Sequence, residues 1–246
     1  MQKNEKFSAK AVGYIMLSMI CSFALAGGAF LDMEMEHRIY LFEILVKLFI
    51  MVGIFAYASL CGIPMNTADS KFFTPWLLVA LIPFCFNIVD YFRIPNRCPG
   101  MVEWISTVAT VVTTAAWEEM LFRYVGRTLF ERNGKYSIGT VVLLALTFGC
   151  SHLINAFFYN PISVLLQVLL ASTFGVFLLA LYRHTGSLWL TITAHTLNNL
   201  AAAVFDLVPE SELLFNSPVN YILLTIIQLA IGIYILKKYN YISNRN

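Results

Sequence analysis

The sequence predicts an all-α, polytopic membrane protein of about eight transmembrane helices with a polar cavity open to the cytoplasm. Three observations predict it. Of 246 residues, 59% are hydrophobic and only 12% are charged, where a soluble domain is closer to one quarter charged. The mean hydropathy is +0.73. The apolar residues fall into eight runs, each near the roughly 20 residues a bilayer requires. This length accommodates a single integral membrane domain over residues 1–246, with little left for a soluble one. The net charge of +2 is too small to point to nucleic acid, so the expected partners are the lipid bilayer and a membrane-associated substrate.

The runs are placed at 9–31, 39–61, 75–93, 103–131, 138–158, 161–182, 187–206 and 218–237. The first follows Lys3, Lys6 and Lys10 and ends in small residues, Ala24 to Ala29, as a signal peptide does. It is long for that, and is read as a retained helix. Pro83 is expected to kink the third run, and Pro161 opens the sixth, where a missing N–H costs nothing. Trp76, Trp104 and Trp189 fall at predicted ends, as interfacial anchors do, whereas Trp117 lies deep.

The connections sort by charge. One side collects Lys3, Lys6, Lys10, Lys71, Arg132, Lys135, Arg183, Lys237, Lys238 and Arg245. The other has only Arg38, Arg93 and Arg97, with Asp32, Glu34, Glu36, Glu210 and Glu212. The positive-inside rule then puts both termini in the cytoplasm, consistent with an even helix count in a cell membrane.

Most polar residues inside the runs have structural readings. Glu43 and Lys47, four apart, suit an ion pair along one helix face. Asn87, Asp90 and Arg93 suit capping or an interfacial pair. Gln167 and Gln228 suit hydrogen bonds between helices. His37 and His184 fall at run ends and take no role. The five cysteines, Cys21, Cys61, Cys85, Cys98 and Cys150, show no C-x-x-C or zinc spacing and read as small apolar fillers.

Three places resist such readings. Glu118, Glu119 and Arg123 share the fourth run, His152 lies deep in the fifth, and His195, Asn198 and Asn199 lie in the seventh. Ionisable groups at such depth cost roughly 2.5–3.5 kcal/mol each and mark function by default. Counting 1.5 Å per residue from the cytoplasmic ends places Glu118, His152, Asn199 and His195 roughly 20, 21, 18 and 12 Å deep. Placements so close imply a shared polar cavity. Within it, Glu119 and Arg123, at i and i+4, are the natural salt bridge, and Glu118, about 140° away from Arg123, is left to face the cavity. His195 and Asn199 share a helix face with Asn198 close by, and Phe148, one turn from His152, could brace its ring.

A carboxylate, two imidazoles and an amide in a low-dielectric site suit amide hydrolysis by an activated water. Glu118 and His152 would hold the water, and His195 and Asn199 would donate to the oxyanion. Ser151 and Cys150 point away from His152, which disfavours an acyl-enzyme. No cofactor is expected. Zinc held by Glu118, His152 and His195 is an open alternative, although no H-E-x-x-H occurs. A non-catalytic scaffold or immunity partner and a proton-coupled transporter are the other readings, the last disfavoured by the lack of inverted-repeat symmetry.

Glu118-Glu119-x-x-x-Arg123, Phe148-x-x-x-His152 and His195-x-x-x-Asn199 occur in this order on three separate runs. In this the chain resembles the CPBP family of CAAX proteases and bacteriocin-processing enzymes, also called Abi. The resemblance covers about residues 103–206; the first three runs and the last carry no matching motif. It implies an intramembrane glutamic endopeptidase acting on a peptide or membrane protein, and a bacterial member by family type. Glu118 and His152 would then activate water, His195 and Asn199 would form the oxyanion hole, and Glu119 and Arg123 would support them. Eukaryotic relatives cut prenylated CAAX proteins; nothing in this chain points to a prenylated substrate.

Overall fold

The computed structural model describes residues 2–34, 40–60, 62–63, 101–131, 135–205 and 218–239. They form helices α1 (Gln2–Glu34), α2 (Leu41–Leu60), α3 (Met101–Glu119), α4 (Gly126–Phe130), α5 (Ile138–Ser151), α6 (Pro161–Thr185), α7 (Leu188–Phe205) and α8 (Pro218–Lys238). A π-helical turn, Met120–Val125, joins α3 to α4, and a 3₁₀ turn, His152–Phe157, follows α5. Seven of the eight expected runs are therefore helical, with most ends within three residues of the expectation. The run at 75–93, with Trp76, Pro83, Cys85, Asn87, Asp90 and Arg93, lies outside the described residues, as do Cys61, Cys98 and His37. Among the described residues, four stretches are long and apolar enough to cross a membrane by length and composition: Val12–Asp32, Leu41–Leu60, Ile138–Phe157 and Pro161–Thr185.

Local sequence explains the ends. The Asn160 side chain accepts from the Ile162 N–H, with Pro161 at the first helical position, so α6 starts as expected. It stops at Gly186, whose φ of 69° a residue with a Cβ rarely adopts. The Ser137 hydroxyl accepts from the Thr140 N–H at 3.1 Å and caps α5. The start of α2 is capped from another element: the Asp32 carboxylate of α1 accepts from the N–H groups of Phe42 (3.1 Å) and Glu43 (2.8 Å). Asp32, expected among the solvated outer charges, is thus buried and in use.

Two packing chains carry the site. Helix α3 lies between α2 and α7, and α6 lies between α5 and α8. Small residues permit the close contacts of the second chain. A Cβ on Gly149 would stand 2.0 Å from the Ser172 hydroxyl and 2.6 Å from the Val168 carbonyl oxygen of α6. The serine can rotate away; the backbone oxygen cannot. Gly149→Val is expected to destabilise the protein by about 3 kcal/mol, the upper end for overpacking. A drop in the melting temperature of the purified protein in detergent would measure it.

The end of α4 is a charged hub. Glu131 accepts from Arg127 Nε at 2.6 Å, pairs with Arg183 Nε of α6 at 3.2 Å, and accepts from the Tyr136 hydroxyl at 3.4 Å. Burial first, and then the Glu131 carboxylate, push the Tyr136 phenol well above its ordinary range, so it remains a donor. Arg183, counted from sequence as a loop cation, is a tie between α6 and α4. Gln167 bonds Asn155 across the 3₁₀ turn at 2.9 Å, an inter-element bond of the kind expected of it, whereas the buried Gln228 Oε1 has no hydrogen-bond partner among the described residues. The described cysteines, Cys21 and Cys150, are free thiols.

Candidate active site

The centre of the molecule is a cluster of four ionisable side chains from two chain segments 76 residues apart. Glu118 and Glu119 end α3, Arg123 sits in the π-helical turn, and His195 lies on α7. Residue exposure is 6% for Glu118, 0% for Glu119, 1% for Arg123 and 2% for His195. Charges buried this deeply persist only when paired. Arg123 Nε stands 3.2 Å from Glu119 Oε2, the partner that helical spacing selected. His195 Nδ1 stands 2.8 Å from Glu119 Oε1, and Nε2 faces Glu118 Oε2 at 3.4 Å. An ionised carboxylate only accepts, so with Glu119 ionised the Nδ1 position carries a hydrogen and donates it to Glu119.

Glu119 therefore serves two partners. Spacing along one helix can identify Arg123 but says nothing about a histidine on α7, so this second contact had no sequence signal. The depth count also placed His195 about 8 Å nearer the cytoplasmic side than Glu118, yet the two are in contact. Counting residues along each axis ignores helix tilt and side-chain reach.

Aromatic rings enclose the cluster. Arg123 lies over the face of Phe148, 4.2 Å from its centroid, a contact strengthened by the dry surroundings. Phe148 meets Phe122, His152 and His195 edge to face, with centroids 5.0, 5.4 and 5.7 Å apart. Phe174 of α6 closes on His195 in the same way at 5.4 Å. Phe148 thus touches both imidazoles and the guanidinium, more than a brace for His152 alone. Trp117 is buried beside Phe122, its indole N–H without a hydrogen-bond partner among the described residues. Phe174 and the α1 ring of Tyr14, which packs on Phe122 and Phe130, carry no motif that could have singled them out.

His152 lies at the seam between α5 and the 3₁₀ turn, half-buried. Its Nδ1 is 3.1 Å from the Phe148 carbonyl oxygen and 3.4 Å from the Ser151 hydroxyl. The carbonyl can only accept, so Nδ1 carries the hydrogen in that bond and Nε2 is left for another partner. Among the described residues no hydrogen bond or ion pair joins His152 to Glu118, and Phe148 links the His152 ring to that of His195. Asn198 and Asn199 are half-buried on α7, one turn beyond His195, with no hydrogen bond to any described residue. The structure thus brings Glu118, Glu119, Arg123, Phe148 and His195 into direct contact. It sets His152 against Phe148, and Asn198 and Asn199 on the next turn of α7. Among the described residues no three His, Cys, Asp or Glu side chains converge as a metal-ligand set. Glu118 and His195 would need a third ligand that His152, as placed, does not supply.

Two features suit chemistry. The π-helical turn, with the Gly126 N–H reaching back to the Leu121 carbonyl, is a rare conformation that concentrates at functional sites. Glu118 Oε2 is a buried carboxylate oxygen with no hydrogen bond, although it faces His195 Nε2. Such an atom is costly for stability alone.

A family model of the type II CAAX prenyl endopeptidase Rce1-like proteins matches residues 100–201. No curated protein and no solved structure matches the chain. The matched segment contains the whole cluster together with Phe148, His152, Asn198 and Asn199. Over residues 100–201 the chain is similar to the Rce1-like proteins, described as type II CAAX prenyl endopeptidases.

Proposed function

We propose that the protein is an intramembrane glutamic endopeptidase that cleaves a peptide bond of a membrane-associated peptide or protein. The observation that carries this reading is the Oε2 of Glu118, buried, without a hydrogen bond among the described residues, and facing His195 Nε2 at 3.4 Å. Glu118 takes a proton from a water that the Nε2 atom of His152 helps to hold. The water oxygen bonds to the scissile carbonyl carbon, and the electron pair moves to the carbonyl oxygen. His195 Nε2–H and the Asn199 amide donate to that oxyanion. Collapse of the adduct breaks the C–N bond, and Glu118 passes its proton to the leaving amine.

Charge balance supports the role of His195. Two carboxylates against one guanidinium leave the cluster one negative charge in excess, and a protonated imidazole closes the balance. Glu119 then holds the ring by Nδ1 and stabilises the imidazolium, as the buried aspartate does in a serine-protease triad. Arg123 and Phe148 hold Glu119 and the ring in place, with Asn198 beside them. We read the chemistry as metal-independent, supported by the lack, among the described residues, of three converging His, Cys, Asp or Glu side chains. Retention of activity in chelator, with no zinc by elemental analysis, is the check.

The topology belongs to the same reading. In it the chain makes eight spans in a cell membrane, both termini are cytoplasmic, and the cluster opens toward the cytoplasm along its half-buried His152 and Asn199 edge. The asymmetry of lysine and arginine supports that orientation. Comparative peptidomics of cells carrying wild type or Glu118→Gln tests the function: peptides that vanish in the variant are products. Identical peptidomes at equal protein levels would sink the reading. In a purified assay on such a product's precursor, Asn199→Ala is expected to lower kcat by about 10²–10³-fold, the loss of one oxyanion donor. KM is expected to change little, because the oxyanion forms only in the transition state.

A further inference from the structure

The 3₁₀ turn and α6 meet in a pair of amides that the proposed chemistry does not use. Asn155 Nδ2 donates to Gln167 Oε1 at 2.9 Å. Each amide carries a donor and an acceptor, so the pair keeps an N–H on Gln167 and a carbonyl on Asn155, neither of them bonded to a described residue. A bond that only tied the turn to α6 would be expected inside the fold. This one lies at the surface, with Gln167 exposed and Asn155 half-buried. It also falls within a stretch apolar enough to cross a membrane, Pro161–Thr185. Gln167 is about 9 Å along the axis from Pro161. Leu153 and Phe157 of the turn, and Leu165, Leu166 and Leu169 of α6, are exposed on the same two elements. Amides turned outward among such residues are costly in lipid unless a partner takes up their donors and acceptors.

Two elements lead from this pair to the cluster. In a 3₁₀ turn side chains three apart eclipse, so Asn155 stands in line with His152, about 6 Å along the axis. On α6, Gln167 and Phe174 are seven apart and share a face, about 10.5 Å along the axis. Ala171 lies between them, and Phe174 closes on His195. This face is buried at Phe174 and Ala171 and open at Gln167, so it runs from the reacting groups to the surface. We infer that the Asn155–Gln167 pair is a substrate subsite, which holds the backbone N–H and C=O of an extended segment about three residues from the bond that is cut. An extended chain advances about 3.3 Å per residue, which sets that spacing. A peptide drawn out of helical form in a bilayer exposes backbone groups that lipid cannot pair. The amide pair offers it one acceptor and one donor, as the edge of a sheet does. The inference rests on the protease reading and adds where its substrate is held.

The test compares wild type, Gln167→Leu and Asn155→Leu/Gln167→Leu in the purified full chain. The probe is a precursor found by peptidomics, synthesised with one backbone N-methyl group at a time, two to four residues on either side of the cut. In both variants KM for the unmodified precursor is expected to rise about tenfold, with kcat within about twofold, because these bonds are made in ground state and transition state alike. In wild type one methylated precursor should show a similar loss, since methylation removes the N–H that Asn155 accepts. In the double variant that same methylation should cost nothing further. A pair that only braced the turn would not tell one methylated precursor from another. If Gln167→Leu does not accumulate, the double variant leaves no amide unpaired and carries the test. Unchanged KM in the folded double variant would overturn the inference and leave the protease reading standing. So would a KM effect shared equally by every methylated precursor, which would give the pair to the fold or to a lipid. A wild-type protein that cleaves no peptide would overturn the protease reading itself, and this subsite with it.

Discussion

Glu118→Gln is expected to lower kcat/KM by about 10²–10⁴-fold while the protein accumulates and melts as wild type does. The amide has nearly the same volume as the carboxylate, so packing against the cluster is kept. Glu118 Oε2 makes no hydrogen bond among the described residues, and the amide oxygen can take its place opposite His195 Nε2 at 3.4 Å. Removing this charge also leaves Glu119–Arg123 intact at 3.2 Å. What disappears is the group able to take a proton from water. The loss should appear in kcat, since an amide of the same shape still admits substrate. A cleavage assay on a precursor found by peptidomics measures it. Activity within threefold of wild type would mean that the buried carboxylate is not the base, whatever family the chain belongs to.

This separation of one glutamate from the other was partly legible in the sequence. Helical spacing is a property of one segment, and it selected Glu119 over Glu118 as the partner of Arg123. Element positions were legible for the same reason: apolar length and flanking residues such as Asn160-Pro161 are local. The contacts made across the bundle were not. Nothing near Glu119 announces that His195 will donate to it. Nothing near Lys47, which pairs with Glu43 as expected, announces that it will also donate to the Thr110 carbonyl of α3. Both depend on which helices become neighbours, and apolar periodicity leaves that open in a membrane, where every face is hydrophobic. The π-helical turn was invisible because its residues, Met120–Val125, have ordinary composition. The motif order did what spacing could not: it grouped residues from three helices before any contact was known, although it could not say that Phe148 would touch both imidazoles.

Arg123→Met is expected to be the most destabilising single change at the site, by about 3–5 kcal/mol, because it strands a fully buried carboxylate. The guanidinium is enclosed between Glu119 and the Phe148 ring. Glu119→Gln should cost nearly as much, since it leaves Arg123 unpaired and weakens the hold on His195 Nδ1. The double variant, Glu119→Gln/Arg123→Met, removes both charges together. If the pair is chiefly a buried salt bridge, the double variant should regain much of the lost stability, because well-packed neutral groups replace ions at little net cost. Thermal unfolding of the four proteins in one detergent gives the coupling energy directly. Activity should not return with stability. In the double variant no carboxylate faces Nδ1, so His195 loses both its orientation and the charge that favours an imidazolium, and the oxyanion loses a donor. A stable, inactive double variant is therefore the expected result. A stable double variant with wild-type kcat would show that Glu119 and Arg123 serve the fold alone, and would take His195 out of the proposed oxyanion site.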